Sequence, residues 1–214
     1  MMSATLVIGN RSYSSWSLRP WLALRHAAVS FCEVVIPLRQ PGTKAAILAY
    51  SASGKVPVFS YDGVTVWESL AICEVVAERH PEARLWPIDA ATRSLARAVA
   101  AEMHGGFPEI RKAFPMDLKR RPEVRQVPVE AWSELERLTG LWRSLRERQP
   151  AGGPFLFGHF TIADAMYAPV CTRLDTYGLP LDNVCRDYVS AVLALPAMVE
   201  WRATALNEPW VINY

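Results

Sequence analysis

Several hydroxyl side chains gather near the start of the chain, in the run Ser12 to Ser17 (SYSSWS). The run follows a short strand-like segment, Thr5 to Ile8, and opens an apolar segment with helical spacing. The N-terminus of a helix presents unpaired backbone N–H groups and about half a positive charge. Hydroxyl donors at that point suit the binding of an anion, although one serine acting as an ordinary helix cap fits the same pattern.

A second candidate is the segment Gly54-Lys55-Val56-Pro57-Val58. Proline inside a strand forfeits a ladder hydrogen bond, so it belongs at an edge or at a special backbone site. A cis peptide before Pro57 leaves the backbone groups of Val56 facing outward, where an extended peptide can pair with them. A plain edge-strand proline is the alternative.

A third candidate is Trp67-Glu68-Ser69, where a strand ends in an acid and a hydroxyl just before a helix. Ser69 and the first amides of that helix can bind a carboxylate, and Glu68 can accept a hydrogen bond from an ammonium group. A ligand that carries both an α-amino and an α-carboxylate group uses the pair together. The alternative is a capped helix, with Ser69 as N-cap and Glu68 facing solvent.

A fourth motif, Thr161-Ile162-Ala163-Asp164, has the spacing of a capping box with Asp in the place of the usual Glu. Phe160 stands where a hydrophobic staple is expected, with Ala165 as its small partner. We expect this motif to stabilise a helix by about 1 kcal/mol rather than to form a site.

The elements that must position these residues change character along the chain. The first 80 residues predict the order β-α-β-α-β-β-α, in which the Asp62-Gly63 turn joins two strands. The apolar run 31–38 predicts a strand that is covered on both faces. After His80-Pro81 only helical patterns follow, over 93–103, 130–148, 161–177 and 188–203.

The predicted fold class is therefore a small α/β domain followed by an all-α domain. We expect an α/β domain over 1–80, a linker over 81–91 and a helical domain over 92–214.

Composition excludes several classes of function. A net charge of +2 gives no support for nucleic-acid binding, and no apolar run reaches the length of a membrane span. The N-terminus lacks the pattern of a signal peptide, which predicts a cytoplasmic protein. The four cysteines are widely spaced, so neither a disulfide framework nor a metal site is predicted.

The four motifs, in this order and at this spacing, resemble the soluble glutathione S-transferase family, in particular its zeta-like and bacterial serine-type members. The resemblance spans nearly the whole chain. It implies a thioredoxin-like N-terminal domain, a helical C-terminal domain, glutathione as co-substrate, no metal and a homodimer. The implied activity is attack of the glutathione thiolate on a small hydrophobic electrophile.

The resemblance also implies a role for each part of the site. For glutathione the implied residues are Ser14 or Ser15 at the sulfur, the Val56 backbone with Pro57 cis at the cysteinyl part, Lys55 and Gln40 at the glycyl end, and Glu68 with Ser69 at the γ-glutamyl head. For the electrophile the implied residues are Met103, His104, Phe107 and Arg111.

A serine is sufficient for this chemistry in energetic terms. Lowering a thiol pKa from about 8.5 to about 6.5 takes roughly 2.7 kcal/mol. A hydrogen bond to a charged group supplies about 1.5–3 kcal/mol, and a helix N-terminus adds about 0.3–1 kcal/mol.

Three alternatives to conjugation stay open. The first is maleylacetoacetate isomerase activity, although the serine run lacks the cysteine found in the corresponding motif of zeta-class members. The second is glutathione-dependent isomerisation or peroxide reduction, which uses the same thiolate as conjugation. The third is a low-activity scaffold that binds a protein partner, although a scaffold has no need for the whole set of ligand-binding residues.

Overall fold

The computed structural model describes residues 4–148 and 152–213. Four strands form one sheet in the order β2-β1-β3-β4. β1 and β2 are parallel, whereas β3 is antiparallel to both β1 and β4. The strands are β1 (Ala4–Gly9), β2 (Phe31–Ile36), β3 (Val58–Tyr61) and β4 (Val64–Val66).

Three helices accompany the sheet, and the elements after them in the described residues are helical. The first three are α1 (Ser15–His26), α2 (Thr43–Leu48) and α3 (Ser69–Arg79). The later ones are α4 (Ala90–Gly105), α5 (Pro108–Ala113), α6 (Val129–Glu147), α7 (Ile162–Thr176), α8 (Asn183–Leu193) and α9 (Pro196–Leu206). The predicted order βαβαββα followed by an all-α region is confirmed.

Helix α1 lies at the centre of the molecule. It packs against α3 beside the sheet and against α7 of the helical region. Its side chains Leu18, Trp21 and Leu22 belong to one large core that continues into the helices. A smaller core, which contains Val7 and Ile47, forms where α2 covers the sheet. The first turn of α1 is thus fixed by the sheet and by the helical region together.

Two sequence predictions about elements are wrong. The strand at 31–38 is not covered on both faces, because β2 is an edge strand and Cys32 and Glu33 are exposed. The helix predicted over 188–203 is two helices, α8 and α9. Proline cannot continue a helix with an intact hydrogen-bond ladder, and Pro196 begins α9.

The proline at position 57 lies just before β3 rather than inside it, and the Val56–Pro57 peptide is cis. The cis bond that the family resemblance implied is confirmed. The Trp67–Glu68 peptide is also cis, which nothing in the sequence indicated.

The capping box of α7 is confirmed, with Thr161 as N-cap. The Thr161 backbone N–H donates to Asp164 Oδ2 at 2.8 Å, and the Thr161 hydroxyl donates to the same oxygen at 2.9 Å. The structure adds a ring contact of Phe160 that the sequence did not indicate. Its ring packs on His26 of α1, with ring centroids 4.7 Å apart.

Within the described residues, no single helix is long and apolar enough to cross a membrane. The bent pair α8 and α9, at 69° to each other, has the length and composition of such a span only when both are taken together.

Candidate functional site

A cleft of about 600 Å³ opens at the start of α1, and we call it the α1 cleft. It is lined by the serine run, the segment before β3, the start of α3 and one side chain of α4, together with Leu38 and Ile47. The predicted glutathione-binding residues that line it are Ser14, Ser15, Lys55, Val56, Pro57, Glu68 and Ser69. The structure therefore brings together seven candidates from three separate sequence motifs.

The Ser14 hydroxyl is already engaged inside the protein. Ser14 is the N-cap of α1 and is buried, and its Oγ lies 2.7 Å from Ser17 Oγ. Ser17 Oγ in turn accepts a hydrogen bond from the Gly9 backbone N–H at 3.1 Å. This chain ties the start of the helix to the end of β1. Ser14 thus has a structural role in the first turn.

Ser15 differs from its neighbour in one respect that matters for chemistry. It is the first residue of α1 and lines the α1 cleft. No hydrogen bond of its hydroxyl to another described residue is found. Because the first amides of a helix lack intrahelical acceptors, Ser15 Oγ stands at a positive helix end with its donor available.

The turn that precedes Ser14 is held from the far end of the chain. Glu208 Oε1 accepts a hydrogen bond from the Arg11 backbone N–H at 2.9 Å, and the Ser12 hydroxyl donates to the Ala205 carbonyl at 3.0 Å. Trp201 Nε1 of α9 donates to the Arg11 carbonyl at 3.0 Å. These contacts hold the turn from Arg11 to Ser12 in one conformation and so fix the position of the N-terminus of α1. We call them the clamp on this turn.

The segment before β3 offers backbone groups to the α1 cleft. Val56 lies outside the ladder that pairs β3 with β1, and no backbone partner for it is found among the described residues. Lys55 is exposed, and its side chain projects from the cleft wall. Pro57 is buried beneath them. The arrangement suits a ligand that lies extended beside Val56 and ends in an anion near Lys55.

The start of α3 forms the opposite wall, and its cap differs from the capping alternative that the sequence left open. Glu68, not Ser69, is the N-cap, and Glu68 Oε1 accepts a hydrogen bond from the Ala71 N–H at 3.3 Å. Ser69 is fully buried, and its Oγ has no hydrogen-bond partner among the described residues. Ser69 lines the cleft, so its orphaned hydroxyl stands there beside the first two amides of α3, whereas the third amide, that of Ala71, is capped by Glu68.

His104 of α4 also lines the α1 cleft and reaches across it to Glu68. His104 Nε2 lies 3.0 Å from Glu68 Oε2, and its ring stands edge-on to Trp16 with centroids 5.1 Å apart. Burial lowers the pKa of His104. The Glu68 carboxylate opposes this effect, whereas Arg19 and Arg111 lower the pKa further. We interpret His104 as neutral near pH 7, with its Nε2–H directed at Glu68.

The lowered pKa of His104 predicts a pH dependence of stability. As pH falls, the unfolded chain takes up the proton first, so stability present above about 6.5 is lost as pH falls through the folded-state pKa. We expect the free energy of unfolding to fall less between pH 7 and pH 5 in His104→Gln than in the wild type. Urea titrations at several pH values measure this difference, and parallel profiles for the two proteins contradict it.

Four other candidates lie outside the lining of the α1 cleft. Gln40 stands in an exposed turn before α2, where its backbone N–H donates to Thr43 Oγ1 at 3.0 Å. Met103 and Phe107 are packed into the core. Arg111 donates to the carbonyls of Gly106 and His104 at the end of α4. Of the residues suggested for the electrophile, only His104 borders the cleft.

Sequence reasoning missed the pairing of His104 with Glu68, because nothing local links a residue of α4 to the cap of α3. It also passed over Arg19. A signal for Arg19 was available in the sequence. It is a charged residue one helical turn after Ser15, on a helix whose other periodic residues are apolar.

Within the part of the chain that the structure describes, no group of three or more His, Cys, Asp or Glu side chains could hold a metal ion.

Family models match nearly the whole chain. Residues 13–79 match the model described as glutathione S-transferase, N-terminal domain, and residues 88–204 match the one described as glutathione S-transferase, C-terminal domain. The chain belongs to the glutathione S-transferase family.

The chain is also similar to curated relatives. The chain is 29% identical over 178 residues to a probable maleylacetoacetate isomerase of Caenorhabditis elegans, across 80% of this chain and 78% of the relative. It is 26% identical over 175 residues to the maleylacetoacetate isomerase of Rattus norvegicus, with the same shares covered.

Solved structures share the fold. A glutathione transferase homologue from Burkholderia with bound glutathione superposes with a TM-score of 0.72 at 23% identity, over 95% of this chain and 97% of the other. A zeta-class maleyl pyruvate isomerase superposes with a TM-score of 0.69 at 20% identity, over 96% and 98% of the two chains.

Proposed function

We propose that this protein binds glutathione in the α1 cleft and stabilises its thiolate for attack on a small electrophile, with Ser15 as the hydrogen-bond donor to sulfur. The observation that carries the proposal is the Ser15 hydroxyl, which has no hydrogen-bond partner within residues 4–148 and 152–213 and stands at the start of α1 within the cleft. Ser14 is the weaker candidate because its hydroxyl is bonded to Ser17.

The remaining parts of glutathione find complementary groups around the α1 cleft. The γ-glutamyl ammonium suits the Glu68 carboxylate, and its carboxylate suits the Ser69 hydroxyl with the first amides of α3. The cysteinyl part suits the free backbone of Val56, and the glycyl carboxylate suits Lys55. Gln40 is left out of the proposed site because it does not line the cleft.

The proposed function is tested by the ultraviolet absorbance of the glutathione thiolate, titrated with pH in the presence and absence of the protein. A bound-thiol pKa well below the free value of about 8.5 supports a glutathione-activating enzyme. Binding with an unchanged pKa contradicts that role and favours a carrier or scaffold. Absence of binding contradicts the whole site.

The role of Glu68 gives a separate prediction about affinity. We expect Glu68→Gln to weaken glutathione binding about 10- to 100-fold, since a hydrogen bond to a charged group contributes about 1.5–3 kcal/mol. The glutamine oxygen can still cap Ala71, so the helix start is preserved. Calorimetric titration with glutathione measures the dissociation constant.

Glu82 provides the matched control for Glu68. It lies outside the α1 cleft and also faces a histidine, with its Oε1 3.2 Å from His80 Nδ1. Glu82→Gln should leave the dissociation constant unchanged. Equal weakening by both variants, or none by Glu68→Gln, contradicts the head-group site.

A second candidate function is glutathione-dependent isomerisation. The missing cysteine of the zeta motif argues against it, but relatives that match 80% of this chain include a probable maleylacetoacetate isomerase and a maleylacetoacetate isomerase. In isomerisation the thiolate adds to a double bond and leaves again, so glutathione is regenerated, whereas conjugation consumes it. Following total thiol during turnover of an unsaturated acid and of an aryl halide separates the two activities.

A further inference from the structure

Arg19 on α1 is a buried cation without the partners that such a group needs. Its exposed fraction is 0%, and its Nε and both terminal nitrogens have no hydrogen-bond partner among the described residues. Its guanidinium carbon lies 4.2 Å from the centre of the Trp16 ring, which is the contact that it does make. Buried charges are ordinarily paired and hydrogen-bonded, so this group needs an explanation.

The charged and titratable groups around Arg19 do not neutralise it. Arg111 of α5 and Arg173 of α7 repel it, while Glu68 at the cap of α3 favours its charge. Burial raises the pKa of the neighbouring Cys73 thiol on α3, which is therefore neutral at pH 7. Burial lowers the pKa of Arg19 to about 9, so the side chain is cationic at pH 7. Arg19 also lowers the pKa of His104. Its field thus reaches two residues that line the α1 cleft, Glu68 and His104.

The guanidinium of Arg19 lies on the same side of α1 as Ser15. Residues four apart in a helix share a face, and long helical side chains lean toward the N-terminus. The contact of Arg19 with Trp16, three residues earlier, shows this backward direction. The guanidinium therefore lies on the side of α1 that bears Ser15, beneath the wall of the α1 cleft that Trp16 forms.

We propose that Arg19 is a positioning residue that stabilises the glutathione thiolate at Ser15 through the protein interior, as an unneutralised cation behind Trp16. The inference rests on the proposed function and adds a second source of thiolate stabilisation to the Ser15 hydroxyl. A glutathione thiolate bound in the cleft supplies the negative charge that no described side chain provides to Arg19 through an ion pair. Because the intervening medium is protein rather than water, the interaction is weakly screened.

The proposal is tested by removing the charge in Arg19→Met and measuring the thiol pKa of bound glutathione in the absence of any electrophile. We expect this pKa to rise by about one unit or more, a roughly tenfold weaker ionisation. The pH profile of kcat/KM for an electrophile, measured at saturating glutathione, should shift in the same direction. Omitting the electrophile isolates the thiolate from any anionic group on a second substrate.

Arg25 is the matched control, because it lies on the same helix and also stacks on a tryptophan, 5.4 Å from the centre of the Trp21 ring. It is outside the α1 cleft and is paired with Glu200. Arg25→Met should leave the thiol pKa unchanged. An equal shift in both variants contradicts a specific effect of Arg19.

Stability provides the readout that separates this role from a structural one. Removing an unpartnered buried charge relieves a desolvation cost, so Arg19→Met should unfold at the same or a higher urea concentration than the wild type. If Arg19→Met and Arg19→Gln both fail to fold, Arg19 is structural and the proposal is overturned. An unchanged thiol pKa in folded Arg19→Met, with a lowered pKa in the wild type, overturns the proposal alone. An unshifted pKa in the wild type overturns the proposed function as well.

Discussion

Replacing Ser15 by alanine is expected to lower turnover of glutathione with 1-chloro-2,4-dinitrobenzene about 10- to 1,000-fold, which corresponds to roughly 1.4–4 kcal/mol of lost stabilisation. The hydroxyl is proposed to bond the thiolate, whose charge develops only when the thiol ionises. The loss should therefore appear in kcat and in the bound-thiol pKa. At a pH below the bound-thiol pKa, where glutathione binds as the thiol, its dissociation constant should change little, because Glu68, Ser69 and Val56 carry most of the binding.

Ser14→Ala is the internal comparison for this prediction. The Ser14 hydroxyl is bonded to Ser17 Oγ, which also accepts from the Gly9 N–H. Its removal should lower stability modestly and affect the thiol pKa less than removal of the Ser15 hydroxyl. A larger kinetic loss in Ser14→Ala than in Ser15→Ala reverses the assignment. Full activity in both variants and in the double variant rules out a serine as the donor.

Asp164→Ala is expected to lower the free energy of unfolding by about 3–5 kcal/mol, the largest effect on stability that we predict. Asp164 is fully buried at the start of α7, and its carboxylate accepts from the backbone N–H groups of Thr161 and Leu156 at 2.8 and 3.1 Å. Alanine removes the helix cap and deletes the acceptor shared by three buried donors, the two of Thr161 and the N–H of Leu156, where an unsatisfied buried donor costs about 1–3 kcal/mol.

Asp182 allows the same substitution to be made at a solvent-exposed cap. Asp182 is the N-cap of α8, where its Oδ1 accepts from the Cys185 N–H at 2.9 Å. Because water can replace that acceptor, Asp182→Ala should cost only about 1 kcal/mol. Urea unfolding of both variants measures the difference. Equal losses would show that burial of the α7 cap adds nothing to its contribution.

Features with a local cause could be predicted from the sequence. The Asp62-Gly63 turn, the Thr161–Asp164 box and the change from strand to helix patterns each depend on neighbours a few residues away. The serine run marked the start of α1 for the same reason, since a hydroxyl before an apolar helix is a short-range signal. These features were enough to define the fold class and three segments of the candidate site.

Features set by tertiary packing could not be predicted. The apolar residues of β2 suggested two covered faces, but the strand order makes β2 an edge. Ser14 and Ser15 are identical in sequence terms, and only their neighbours Ser17 and Gly9 distinguish them. The pairing of His104 with Glu68 and the isolation of Arg19 likewise depend on how α4, α5 and α7 meet α1. Electrostatic surroundings of this kind leave no periodic pattern in a sequence.

The clamp on the turn from Arg11 to Ser12 has a consequence for biosynthesis. Strand β1 and the serine run are translated nearly two hundred residues before Trp201, Ala205 and Glu208, which hold that turn. Closing so long a chain segment costs entropy that the packed core offsets. We therefore expect the proposed thiolate donor to reach its native geometry on the nascent chain only after residues 201–208 have been made.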